Sequence, residues 1–185
     1  VNRGKETILV FTAAVWFAAV GAGLTGCEPS PHDLVTRGQL DALCHLLQTD
    51  PDAVHHVDRL RKTALHTAAG VDNVEAIRLL LDAGADISAH DVTGMTPLHV
   101  AAMYSRGRAA SLLLQRGADL HARDTFGDTP LHTAAIFGRT KMALWLIRHG
   151  ADPCARNTAG RIPLDLARER RHQETAAALT AYVCP

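Results

Sequence analysis

Thr96-Pro97-Leu98-His99 returns as Thr129-Pro130-Leu131-His132. Thr63-Ala64-Leu65-His66 precedes the pair, and Ile162-Pro163-Leu164-Asp165 follows it. The four stretches begin at 63, 96, 129 and 162, a constant step of 33 residues. A second signal keeps the same step: Gly84-Ala85-Asp86, Gly117-Ala118-Asp119 and Gly150-Ala151-Asp152. Two signals in phase mark an internal repeat. Each unit buries its apolar face only against its neighbours.

Chemistry within the unit orders its parts. Thr suits a helix N-cap, because its hydroxyl satisfies a free backbone N–H. Pro at the next position loses no hydrogen bond. The Ala pairs at 68-69, 101-102 and 134-135 allow close helix approach. A second, leucine-rich helix is predicted over 74–82, 106–116 and 140–149. The Gly of Gly-Ala-Asp ends it, since that position favours positive φ. A hairpin-like finger follows, its turn carried by Asp91, Asp124 or Asn157 with Gly94, Gly127 or Gly160. The first finger has Arg61 in place of that Gly, so distortion is expected there.

A 33-residue period with Thr-Pro-Leu-His resembles the ankyrin repeat. The resemblance covers about residues 30–185. It implies an all-α solenoid of helix-turn-helix units with finger hairpins. Full repeats are expected at 63–95, 96–128 and 129–161, between an N-terminal cap at 32–62 and a C-terminal cap at 162–185. The first cap lies one residue out of register, which places an insertion near Asp50-Pro51-Asp52. Leu40, Leu43, Leu46 and Leu47 share one of its helical faces. In the last unit Leu164, Leu166, Ala167, Ala176, Ala177, Leu179 and Ala181 are expected to close the core.

The first 26 residues read as an address. Arg3 and Lys5 are followed by an uncharged stretch over 8–26 that ends in Leu24-Thr25-Gly26-Cys27. A basic start, an apolar run and small residues describe a signal peptide. Small residues before Cys resemble the lipobox of bacterial lipoproteins. That resemblance implies cleavage before Cys27, a diacylglyceryl thioether on its sulfur and an acylated N-terminus. Several acyl chains make a stable membrane anchor where one does not. An ordinary transmembrane anchor or a non-lipidated signal are the alternatives. Residues 27–31 then form a short tether.

Basic and acidic residues both number 19, and removing Arg3, Lys5 and Glu6 leaves 17 and 18. Such balance offers no long-range attraction to nucleic acid. No Gly-rich phosphate loop, paired CxxC, HExxH or GxSxG occurs. No catalytic residue, metal site or cofactor is assigned, and a monomer is expected. His66, His99 and His132 invite a metal or catalytic reading, but repeat stacking holds them about 8–10 Å apart. The alternative is that each bonds backbone or the Thr hydroxyl. His55, Ser88, His121 and Cys154 share another column, where exposed finger positions are the plainer reading. Export favours oxidised thiols. A Cys154–Cys184 bridge is considered, with Cys44 left as a free thiol.

Ankyrin-like surfaces bind proteins through finger tips and first-helix faces. Phe126, Tyr104 and Phe137 fall at positions the family leaves variable, with Met95, Met103 and Ile136 beside them. Arg59 and Lys62 flank this group on one side, Asp128 and Arg161 on the other. The expected function is non-catalytic binding of an envelope or surface protein by a lipid-anchored chain facing the periplasm or cell exterior. The alternative is an accessory of a periplasmic redox or metal enzyme in oxidative-stress defence. Replacing Cys27 by Ser should abolish lipid labelling and block precursor cleavage; unchanged processing would remove the lipoprotein reading.

Overall fold

The computed structural model describes residues 29–182. Cys27 and the address before it lie outside these residues, as does Cys184. Helices α1 (Pro31–Thr36) and α2 (Leu40–Thr49) form the first unit. Then come α3 (Ala64–Val71) with α4 (Val74–Asp82), α5 (Pro97–Met103) with α6 (Gly107–Gln115), and α7 (Pro130–Ile136) with α8 (Thr140–Arg148). The last pair is α9 (Pro163–Glu169) and α10 (Gln173–Thr180). Five helix pairs therefore stack in one row, as the period requires.

First helices pack on first helices: α1 on α3, α3 on α5, α5 on α7, α7 on α9. This row is closer than the row of second helices. The cause is side-chain size. Ala68, Ala69, Ala101, Ala102, Ala134 and Ala135 are fully buried and hold backbones near each other. The second helices contribute the larger core residues, Ile77, Leu80, Leu113 and Leu146, all sealed from solvent. The helices α4, α6 and α8 each end on a glycine with positive φ, at Gly84, Gly117 and Gly150.

The fingers are tight turns rather than strand hairpins. Among the described residues the only β-pairing is an isolated bridge between Val57 and Thr63. Asp91 Oδ1 accepts the N–H groups of Thr93 and Met95, and Asp124 Oδ1 does the same for Phe126 and Asp128. Successive fingers are joined tip to tip. Val92 N–H donates to Leu60 O at 2.9 Å, Thr125 N–H to Thr93 O at 3.0 Å, and Thr158 N–H to Phe126 O at 3.0 Å. Gly94 needs its bare α-carbon twice over. Its φ is +78°, and a Cβ there would meet Thr125 N at 2.6 Å.

The first finger corrects the expectation of distortion. Arg61 adopts φ +56°, the left-handed conformation its glycine counterparts use. Asp58 Oδ1 still accepts the N–H groups of Leu60 and Lys62 at 2.8 Å. The turn is kept and the residue is strained, at about 1–2 kcal/mol for a side chain in this region.

Both caps differ from expectation in detail. Ser30 and Pro31, read as tether, begin the first helix instead. The Ser30 hydroxyl accepts Asp33 N–H at 3.2 Å, and Pro31 takes the position where a missing N–H costs nothing. The extra residue near Asp50 sits in a 3-10 turn, Pro51–His55. At the other end, Ala177 and Ala181 face solvent rather than core. The phase of α10 turns Thr175, Ala176 and Leu179 inward, and Thr175 bonds Thr140 hydroxyl to hydroxyl at 2.8 Å. No buried side-chain nitrogen or oxygen among the described residues lacks a partner.

Leu113 is fully buried in the middle repeat. Leu113→Ala should lower unfolding free energy by about 2–5 kcal/mol in urea titration. A loss under about 1 kcal/mol would show that repeats relax around the cavity more freely than a close-packed core allows.

Candidate protein-binding site

The repeat histidines are structural, and their bonds are complete. His66 Nδ1 faces Thr63 N–H at 3.1 Å and its hydroxyl at 2.9 Å. Its Nε2 lies 3.0 Å from Met95 O. His99 and His132 repeat the pattern onto Asp128 O and Arg161 O. A carbonyl can only accept and a backbone N–H can only donate. Nε2 therefore carries the proton, Nδ1 is bare, and the ring is neutral. Burial is the largest influence and holds all three rings below their ordinary 6.5, against the carbonyl bonds that favour the charged form. His32 Nε2 makes the corresponding contact to Lys62 O at 2.7 Å from the first cap.

A second set of donors also joins the repeats. Arg106 Nε donates to Gly70 O and Arg139 Nε to Met103 O, both at 2.8 Å. His172 Nε2 contacts Ile136 O at 2.8 Å. Residues 106, 139 and 172 are 33 apart, so the column was visible in the sequence and went unread. The donor types differ, but each can reach a free carbonyl at the end of the preceding first helix.

The six apolar side chains expected at the concave centre do not form one cluster. Phe126, Tyr104 and Phe137 are exposed, Phe126 at 62%. Met95, Met103 and Ile136 are half-buried. The exposed set falls in two groups. One lies on the finger tips and holds Leu60, Val92 and Phe126; Leu60 and Phe126 are repeat equivalents with Thr93 between them, and Val92 stands one residue out of that column. The other runs along the first-helix ends through Val71, Tyr104 and Phe137, spaced 33 apart. About 10 Å of helix separates them, the length of seven residues. Within the second column the Tyr104 ring lies over Gly70, next to Val71, where a Cβ would be 3.6 Å away. Leu60, Val71 and Val92 escaped the sequence reading because it weighed aromatics first.

The proposed rim also changes. Asp128 is buried, and its carboxylate accepts Asn157 Nδ2–H at 2.7 Å. Burial pushes its carboxyl up, partly opposed by that bond. It supports the neighbouring finger instead of meeting solvent. Arg161 is exposed but pairs with Glu169. Trp145 packs partly on the core and stacks on His149, with ring centroids 3.9 Å apart.

Cys154 is held in a disulfide, whereas Cys44 is a free thiol. The expected partner Cys184 lies outside the described residues. His55, Ser88 and His121 do not converge with Cys154. Among the described residues no group of three His, Cys, Asp or Glu side chains is placed to hold a metal ion. A depression of about 250 Å³ beside Ser88, His90 and Arg123 is smaller than the usual small-molecule pocket. Extended apolar groups of this kind suit contact with a macromolecule.

The family model for ankyrin repeats, in three copies per match, fits residues 32–124 and 107–184. No curated protein matches the chain.

The three histidines carry a pH dependence. The unfolded rings titrate at their ordinary 6.5, and the folded rings titrate lower. Stability is then full above that value and falls as pH drops below it, until the folded rings take up protons. The slope is about 1.4 kcal/mol per pH unit for each ring, or about 4 for three. Urea titrations stepped down from neutral pH should show it, and His99→Gln should remove about a third of the slope. Equal stability across that range would mean that the folded rings take up protons over the same pH range as the unfolded ones.

Proposed function

The chain belongs to the ankyrin-repeat family, and from that premise we propose that it is a membrane-anchored scaffold that binds a protein of the bacterial cell envelope. Ankyrin repeats are protein-binding scaffolds, and the described residues contain the repeat domain. What carries the reading for this chain is the pair of exposed apolar groups on finger tips and first-helix ends. A folded surface seldom leaves aromatic and branched side chains in register unless something covers them. Aromatics at the centre of such a face are the usual source of binding energy.

The anchor rests on Leu24-Thr25-Gly26-Cys27 behind an uncharged stretch. A disulfide at Cys154 is consistent with an oxidising compartment. Cys184 is proposed as its partner. A thioether on Cys27 could not also form a disulfide, and Cys44 is a free thiol.

A Phe126→Ala, Tyr104→Ala variant tests the surface. Both side chains are exposed, so the variant should fold like the parent. Affinity capture from the native envelope, read by mass spectrometry, should identify a partner that the variant binds more weakly by at least about 2 kcal/mol, the hot-spot scale. Unchanged binding would place the contact elsewhere.

A further inference from the structure

The first finger differs from the other three in a way that bears on its partner. It reads Asp58-Arg59-Leu60-Arg61-Lys62, where the others read Asp91-Val92-Thr93-Gly94-Met95, Asp124-Thr125-Phe126-Gly127-Asp128 and Asn157-Thr158-Ala159-Gly160-Arg161. Three cations stand on one turn. Its own carboxylate, Asp58, is exposed and accepts the N–H groups of Leu60 and Lys62 through one oxygen. Arg59 and Arg61 are exposed and Lys62 is half-buried. None of the three is in an ion pair among the described residues, where the pairs are Arg116 with Asp82 and Arg161 with Glu169.

Arg61 is the telling member. It holds φ +56° where its counterparts Gly94, Gly127 and Gly160 hold +78°, +72° and +73°. Glycine would make this turn without strain. Nothing in the fold uses the guanidinium in return. A strained residue with no structural partner points to use outside the fold.

Leu60 stands between these cations, half-exposed, with its carbonyl bonded to Val92 N–H. The next two fingers expose Val92, at the position of Arg59, and Phe126, at the position of Leu60, with Thr93 between Leu60 and Phe126 in the column. The tip surface thus runs from three unpaired cations into three apolar side chains.

Resting on the protein-binding reading, we infer that the first three finger tips dock an acidic segment of the partner, with its carboxylates on Arg59, Arg61 and Lys62 and its apolar residues on Leu60, Val92 and Phe126. Guanidinium groups match carboxylates in a two-point geometry that lysine alone does not provide. Complementary charge sets orientation and rate, and the apolar side chains supply the contact area. A flat anionic bilayer fits less well. The same unit also exposes Asp33, Asp41, Asp50 and Asp52, which repel an anionic surface.

The probe is a fluorescent peptide of alternating Glu and Leu, read by anisotropy against the full-length chain in detergent micelles. Two control peptides replace Glu by Lys or Leu by Ser. The Glu–Leu peptide should bind at least about tenfold tighter than either control, and added salt should weaken it by screening. Arg59→Gln, Arg61→Gly, Lys62→Gln together should reduce its affinity by about tenfold or more. That variant keeps the fold, because glycine is the residue the other fingers place there. No binding, equal binding of the Lys peptide, or an unaffected triple variant would overturn the inference. So would binding of phosphatidylglycerol vesicles in place of the peptide. Measured against the captured native partner, the two surfaces separate. Loss with Phe126→Ala, Tyr104→Ala but none with the triple variant sinks the acidic-segment inference and leaves the protein-binding reading standing. No loss with either overturns the acidic-segment inference and moves the contact off both surfaces, and capture of no partner at all sinks the protein-binding reading.

Discussion

One hydrogen bond recurs through this molecule and fixes how its units meet. A neutral imidazole stands at the third position of α3, α5 and α7, as His66, His99 and His132. Its Nδ1 caps the start of its own helix, and its Nε2–H reaches the carbonyl just before the next repeat. A single ring thus ties local structure to stacking. Only a side chain with an acceptor and a donor on opposite edges can do both. In the unit at 163–180, Asp165 stands in the place of the histidine. Its carboxylate still accepts Ile162 N–H at 3.1 Å, the capping half of the task. At the other end His32 reaches Lys62 O while Ser30 and Asp33 do the capping. Two residues share what one histidine does elsewhere.

Burial makes that bond both useful and vulnerable. In a water-poor setting a satisfied polar network holds one arrangement, and an unsatisfied one is costly. The rings remain neutral because charging them would put a proton between Nδ1 and a backbone N–H. The scaffold is consequently rigid at its base, where Thr, His and carbonyl meet. Its tips are joined by backbone bonds between turns, and the Thr125 and Thr158 hydroxyls donate to the same carbonyls. Residues at those tips are free to vary chemically, and it is there that Leu60, Arg61, Val92 and Phe126 appear. Their side chains are not asked to hold the fold, which leaves them to meet a partner.

The period of 33, the capping threonines, the glycines that end the second helices and the alanine pairs were all legible in the chain. They are local requirements repeated at fixed spacing, and repetition separates them from chance. Details of the first and last described units were less legible, because they follow the pattern loosely. Ser30 and Pro31 could be read as tether until they were seen to start a helix. Ala177 and Ala181 looked apolar enough for the core until the phase of α10 turned them outward.

The sequence by itself determined the architecture, the register of the repeats and the neutrality of charge. Tertiary structure decided which variable residues share a surface. Asp128 and Phe126 are two positions apart, yet one is buried against Asn157 of the next finger and the other is in solvent. Leu60 and Val92 lie side by side because a backbone bond joins their fingers, a relation that 33-residue spacing alone does not reveal. Arg61 could be noticed as a missing glycine, but whether the turn would bend or the arginine would strain depended on contacts with Asp58 and the neighbouring finger. The physical reason is the same in each case. Local propensities repeat along the chain, whereas exposure and strain are properties of what the next repeat places alongside.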